Sequence, residues 1–408
     1  MRKTALGFAM LTAACVSTST FGATLFSENF DVDPSANWTV NPGIATDFTA
    51  TFNFDYSTIG IPEAPNSTGS AATTGLKMVA NAFFGAFGGG SVSPTGLDLG
   101  TGDYVLKFDW WNNFHGPAPA GGSGTTQISY GGVLTSGTAN NAAGISDSVF
   151  FAQTLDGGSS ADWRVYSSDK PVSYAATDLT NGVAVYEASL GGTDTTARNA
   201  SNVYYAGNAA FPANTIPAAQ TAIVAGIDPL VDHTGTAQPG ITAFSWAQSE
   251  ITKIGSVVSW KVNGVLIGSV DTSVFVTPTG GNNILLGHGD TNAGSSSDAL
   301  FSTLTFSLFD NIRVEDVVSA LDGDLNGDGF VGISDLNIVL GVWNQNVTPG
   351  DLLQGDPSGD GFVGIDDLNR VLGNWNAGTP PAAGAAVPEP TTLALLGLGG
   401  LAMLKRRR

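Results

Sequence analysis

Between residues 24 and 318 apolar and polar positions alternate with the period of strands rather than helices. In Tyr104-Val105-Leu106-Lys107-Phe108-Asp109-Trp110 the large apolar side chains fall at Tyr104, Leu106, Phe108 and Trp110, on one face of an extended strand. Ile251 to Val262 reads as another strand, and Val262-Asn263-Gly264-Val265 turns it back into Leu266 and Ile267 through an Asn-Gly pair suited to a type I′ hairpin. Leu304 to Phe309 and Ile312 to Val314 supply the last strand material. The opening segment Leu25 to Asp31 and the closing segment Phe309 to Glu315 are expected to be neighbouring strands of one sheet. No long amphipathic helix is expected here, so the stretch reads as one large β domain. Helical spacing appears only beyond it, where Leu336, Val339, Leu340 and Trp343 are answered by Leu368, Val371, Leu372 and Trp375. These two stripes are expected to pack on each other, the tryptophans included.

Each stripe follows an acidic loop. Asp324-Leu325-Asn326-Gly327-Asp328-Gly329-Phe330-Val331-Gly332-Ile333-Ser334-Asp335 sets oxygen side chains at positions 1, 3, 5 and 12, with Gly329 at position 6, where a calcium loop turns sharply. The pattern returns 32 residues later as Asp356 to Asp367. The implied ligands are Asp324, Asn326, Asp328, the Phe330 carbonyl and Asp335 in the first loop. In the second they are Asp356, Ser358, Asp360, the Phe362 carbonyl and Asp367. Two Ca²⁺ ions are expected, with folding of the short helices coupled to their binding. Residues 322–376 resemble a type I dockerin, which implies a cohesin-like partner. At loop positions 10 and 11, where that family commonly places hydroxyl residues, this chain has Ile333 and Ser334, then Ile365 and Asp366.

The two ends read as addresses. Arg2 and Lys3, an apolar run from Ala5 to Cys15 and small residues up to Ala23 form an export signal over residues 1–23. The sole cysteine, Cys15, lies within it, so the mature chain is expected to have no disulfide. At the other end, residues 377–386 form an Ala/Gly/Pro spacer. Val387-Pro388-Glu389-Pro390, the apolar stretch Leu393 to Leu404 and the basic tail Lys405 to Arg408 then resemble a PEP-CTERM sorting signal. That resemblance implies an exosortase-type processing protease, transient membrane association of residues 387–408, and a final place at the cell surface or in the extracellular matrix of a Gram-negative-type bacterium.

Composition narrows the partners. Asp and Glu number 35 against 15 Lys and Arg, and six of those cations sit in the terminal signals. So acidic a body disfavours nucleic acid, which demands a positive surface, and favours divalent cations. The 22 Phe, 8 Tyr and 8 Trp argue for a packed core despite 54 Gly.

The paired terminal strands and the Trp260-to-Ile267 hairpin are similar to the concanavalin A-like lectin and glucanase jelly roll. The expected fold is therefore mostly β, a jelly-roll sandwich followed by a small α-helical dockerin-like calcium module; another β-sandwich, or a β-helix or irregular β domain, is the alternative. Jelly-roll glucanases need carboxylates at alternate positions of one strand, and the six glutamates here, at 28, 63, 187, 250, 315 and 389, include no such set. No catalytic residue is assigned, and an exported, surface-associated noncatalytic β-sandwich protein with a calcium-dependent dockerin-like assembly module, carbohydrate being its candidate ligand, is preferred over a secreted polysaccharide-degrading glycoside hydrolase of a cohesin-dockerin-type complex. The densest polar-aromatic cluster surrounds Asp109, Trp111, Asn113 and His115, which suits saccharide contact; the alternative is that Trp110 is core and its neighbours line a loop. His233 and His288 read as loop histidines, and Arg164 as a surface salt-bridge partner.

Overall fold

The computed structural model describes residues 23–68, 73–80, 88–119, 126–142, 146–159, 161–168, 199–291, 300–317, 321–378 and 380. The export signal, most of the spacer and the sorting tail lie outside them. The chain divides into two compact units, one spanning Gly22–Val317 and the other containing the residues from Val318 onward.

The first unit is built from strands β1 (Thr24–Glu28), β2 (Trp38–Pro42), β3 (Phe48–Asp55), β4 (Thr74–Ala80), β5 (Gly89–Pro94), β6 (Tyr104–Asn113), β7 (Gln127–Thr135), β8 (Val149–Thr154), β9 (Trp163–Ser167), β10 (Trp246–Ile254), β11 (Val257–Val262), β12 (Val265–Asp271), β13 (Asn283–Asp290) and β14 (Phe306–Asp316). They form two antiparallel sheets, β12-β11-β10-β6-β14-β4-β3, with β1 also on β14, and β2-β5-β13-β7-β8-β9. This is a mostly β sandwich. Its helices are short: α1 (Val203–Ala206), α2 (Ala218–Ile227) and α3 (Phe301–Leu304).

The alternation in β6 places Tyr104, Leu106, Phe108 and Trp110 in the main core, each at most 1% exposed. Trp260 joins the sheets there, with ring centroids 5.9 Å from Trp110, 5.5 Å from Trp163 and 5.4 Å from Phe151. Burying such side chains stabilises by ~1.5–3 kcal/mol each, which is how a sandwich holds without disulfides.

β6 is also covered on its other face. Trp111 and Phe114 pack in a second cluster with Tyr56, Ile61, Ile216 and Phe301. The polar residues of β6 are therefore interior over the second half of the strand, where alternation alone places them at the surface.

Two local expectations are revised. Ile251 to Val262 is a hairpin rather than one strand, because Gly255, at φ +55°, turns β10 into β11. Leu304 closes α3 instead of opening β14. The ten residues of α2 are the longest helix among the described residues of this unit, in keeping with the expectation of no long amphipathic helix.

The terminal strands do pair, Glu28 opposite Ile312 and Phe26 opposite Val314. One edge of β14 is shared in sequence: β4 takes Ser307 to Phe309, and β1 takes Ile312 to Glu315. Between these stretches β14 is bulged at Asp310–Arg313 on its other side, against β6, with Asn311 in the left-handed region at φ +53°.

In the second unit α4 (Ile333–Gly341) and α5 (Ile365–Gly373) pack around Leu325, Val331, Val339, Val363 and Val371. The repeat is carried into the backbone. Val331 exchanges hydrogen bonds with Asn376 and Ala377 at 3.0 and 2.9 Å, as Val363 does with Asn344 and Gln345 at 2.9 Å each.

The packing of the stripes is corrected here: Trp343 and Trp375 are 41% and 39% exposed, and Leu340 and Leu372 about half exposed. Each helix has ended by Gly341 or Gly373, so the next residues leave the helical phase and carry the tryptophans off the buried face.

Candidate functional site

The change of partner along β14 opens a cavity of about 250 Å³. β1 supplies Ser27 and Glu28, with Asn29 just beyond it; the segment ahead of β4 supplies Asn66 and Thr68; the bulge supplies Asn311, Ile312 and Arg313. Behind the wall stands Asp109, only 1% exposed. Its carboxylate accepts from the Asn66 N–H at 3.1 Å, Asn66 Nδ2 at 2.7 Å and Asn311 Nδ2 at 2.9 Å. Burial raises the Asp109 pKa against these hydrogen bonds.

Opposite Asp109 in the β6–β14 register lies Asp310, also 1% exposed. Its oxygens accept from the Tyr56 hydroxyl at 3.0 Å and the Asn311 N–H at 2.7 Å. Burial pushes Asp310 up to about 8 against those two hydrogen bonds, helped by the nearby Asp109 and Asp31 charges.

The four residues singled out for saccharide contact are thus all interior: Asp109 1%, Trp111 3%, Asn113 0% and His115 5% exposed. Only Asp109 reaches the cavity, and it does so through the asparagines it holds. Trp111 Nε1 donates to Asn113 Oδ1 at 3.0 Å, and Asn113 Nδ2 donates to the Leu304 carbonyl at 2.6 Å. The His115 ring lies 5.3 Å from that of His233, which meets Gln220 Oε1 at 3.1 Å.

The loop reading of His288 and the surface reading of Arg164 are corrected. His233 does lie in the loop between α2 and β10, buried there at 1% exposure, whereas His288 lies on β13 inside the sandwich. His288 meets Ser307 at 2.6 Å and Gln127 at 2.7 Å, and burial lowers its pKa to about 3. Arg164 is 2% exposed and donates to the Ala161 carbonyl, Tyr166, Thr291 and Ser159, because both faces of β9 are covered.

In the second unit the acidic loops close on their own backbone. Asp324 accepts from the N–H groups of Gly327, Asp328 and Gly329 at 2.8, 3.2 and 2.9 Å. Asp335, fully buried, accepts from Leu325, Asn326 and Gly332 at 2.8, 3.1 and 2.8 Å. Gly329 and Gly361, at position 6, both take φ +81°, the left-handed turn the spacing demands.

In the second loop Asp356 accepts from the N–H groups of Gly359, Gly361 and Gly350 at 2.8, 2.7 and 3.1 Å, while the Asp360 N–H turns to Ser358 Oγ at 3.4 Å. Asp367 accepts from Ser358 and Gly364 alone, at 3.0 and 2.7 Å, since Pro357 has no N–H to match that of Leu325. Burial acts to raise the Asp356 pKa, but hydrogen bonds from the Gly350 N–H, the Ser358 hydroxyl and the Gly361 and Gly359 N–H groups together hold it at about 2.

Among the described residues no three His, Cys, Asp or Glu side chains are gathered as a metal cluster. The loops nevertheless fit a hard cation in donor chemistry, being all oxygen, with further lone pairs on the buried carboxylates. Asn326 at present donates to Asp328 at 3.0 Å, and Asp328 accepts from the Phe330 N–H at 2.9 Å.

Residues 386–408 match the PEP-CTERM protein-sorting motif. The motif marks the chain for export and cell-surface sorting as in Gram-negative bacteria, with exosortase processing. No curated protein matches the chain.

Among solved structures it is similar to the carbohydrate recognition domain of Emp47p, at 8% identity over 74% of this chain and 99% of that one, TM-score 0.34. A Bacillus subtilis protein of unknown function with a galectin-like fold is similar at 8% identity over 73% and 97%, TM-score 0.35. The carbohydrate-binding module CBM66 of Bacillus subtilis follows at 8% over 69% and 96%, TM-score 0.28.

Proposed function

We propose that this exported protein is a noncatalytic binder whose sandwich takes a saccharide in the β1–β14 cavity and whose C-terminal unit is a calcium-dependent assembly module. The observation that carries the first part is the asparagine wall. Asn66 and Asn311 are fixed from behind by Asp109, so their amides are set before a ligand arrives, and preorganised polar groups suit a ligand rich in hydroxyls. In this reading Asp109 positions the site, while Trp111, Asn113 and His115 hold the interior beside it.

Two Ca²⁺ ions would be held by Asp324, Asn326, Asp328, Phe330 and Asp335, and by Asp356, Ser358, Asp360, Phe362 and Asp367. They would neutralise clustered carboxylates and join folding to metal binding. The exposed apolar flanks of α4 and α5 would meet a cohesin-like partner.

The test is binding of the mature chain to a glycan panel beside Ser27→Trp, which obstructs the cavity from an exposed position. Binding lost in the variant supports the reading. Cleavage of a glycan by the wild type would favour the glycoside hydrolase instead, and binding that Ser27→Trp leaves unchanged would remove the cavity from the account.

A further inference from the structure

The cavity's donors and acceptors are unevenly divided. Asn66 and Asn311 both turn their amide nitrogens back onto Asp109, at 2.7 and 2.9 Å. A carboxylate acceptor fixes which end of each amide faces it, so the edge each asparagine has left for a ligand is the carbonyl oxygen. Glu28 adds a carboxylate to the same wall, spending one oxygen on the Phe30 N–H at 2.9 Å. These groups call for hydroxyl donors on the ligand.

Arg313 stands against them as the cavity's cation. Among the described residues its buried Nε has no hydrogen-bond partner, and its ion pair to Glu315 Oε1 is stretched to 4.0 Å. Glu315 is already engaged by Lys107 Nζ at 2.8 Å. In a chain with 35 acidic residues and 15 Lys and Arg, a guanidinium so loosely paired at the wall of a cavity, its side chain 39% exposed and open to a ligand, is a feature that a ligand would complete. The planar fork of arginine matches a carboxylate bidentately.

Resting on the saccharide reading of this cavity, we infer that its ligand is an acidic sugar, a hexuronate unit whose hydroxyls donate to Asn66, Asn311 and Glu28 while its carboxylate pairs with Arg313. The two charges in the wall then set orientation: Glu28 repels the carboxylate end and Arg313 holds it. About 250 Å³ falls below the ~300–1,000 Å³ common for drug-sized ligands, which suits one sugar unit, at the end of a chain or as a branch.

The experiment is calorimetric titration of the full mature chain with glucuronate and galacturonate, their neutral counterparts glucose and galactose, glucose 6-sulfate and acetate. A hexuronate should bind at least ten-fold more tightly than its neutral hexose. Arg313→Gln should bring both to the level of the hexose, and Arg313→Lys should restore part of the preference. Near-ultraviolet circular dichroism matching the wild type establishes that each variant is folded.

Neutral and acidic sugars bound equally, with Ser27→Trp abolishing both, would overturn this inference and leave the saccharide reading standing. Acetate competing as well as the hexuronate would reduce the site to an anion site and overturn it too, as would a preference for the sulfate ester over both hexuronates. Absence of any sugar binding would remove both readings together.

Discussion

Replacing Asp310 by Asn should flatten the pH dependence of the sandwich's stability between pH 6.5 and 8. Burial pushes the Asp310 carboxyl from 3.8 up to about 8. Between those values the folded chain keeps a proton that the unfolded chain has released. Stability therefore falls as pH rises from 3.8 towards 8 and is level above it.

Three other buried groups act in different windows. His288 is depressed by burial from 6.5 to about 3, so its contribution is complete above 6.5 and is lost as pH falls. Asp162, raised by burial to about 6, has mostly titrated by 6.5. Lys77, lowered by burial from 10.5 to about 8, adds stability only as pH rises beyond the window.

At about 1.4 kcal/mol per pH unit, the wild type should lose about 2 kcal/mol from pH 6.5 to 8. In a domain of this size that is a fall in Tm on the order of 4 °C. Asparagine keeps the shape and a polar partner for Tyr56 without ionising. Urea unfolding of the full chain at constant Ca²⁺ reads this through the fluorescence of the buried Trp110, Trp163 and Trp260. A wild type equally stable at both pH values, or a variant that keeps the wild-type slope, would refute the reasoning.

Gly287→Ala should cost about 3 kcal/mol, because a Cβ there would sit 1.8 Å from the Tyr130 ring, whose hydroxyl is tied to Gly90 and Asn141; thermal unfolding checks it. Chelation of Ca²⁺ should remove helical circular dichroism from α4 and α5 and alter the emission of Trp343 and Trp375 while the sandwich stays folded. Asp324→Ala should weaken calcium-induced folding more than Asp356→Ala, since an amide oxygen at Asn326 is a better ligand than the Ser358 hydroxyl; equal losses in calorimetric titration would remove the ranking.

The parts of the fold that are local in sequence were legible: the β6 alternation, the Asn263-Gly264 turn and the duplicated loops all follow from short-range pattern. Pairing of the first and last strands also followed, from the way a sandwich ties its two ends together. What was hidden is long-range.

Asp109 and Asp310 become neighbours only through the β6–β14 register, and a search for carboxylates spaced along one strand passes over them. The cavity depends on β1 replacing β4 along one edge of β14, and Asn66 comes to it from a loop without a pattern of its own. The second layer covering β6 explains why a cluster that reads as a surface site is interior, and why Arg164 and His288 are buried. The tryptophans after α4 and α5 misled for a different reason: helical spacing was continued past the point where the helix stops.

The most direct test of the saccharide cavity is hydrogen–deuterium exchange of the full mature chain with and without a bound sugar. Protection is predicted in peptides covering residues 24–31, 62–68 and 306–316, with 333–376 unchanged. Saturating sugar that leaves those three segments unprotected while slowing exchange elsewhere would contradict the placement of the site.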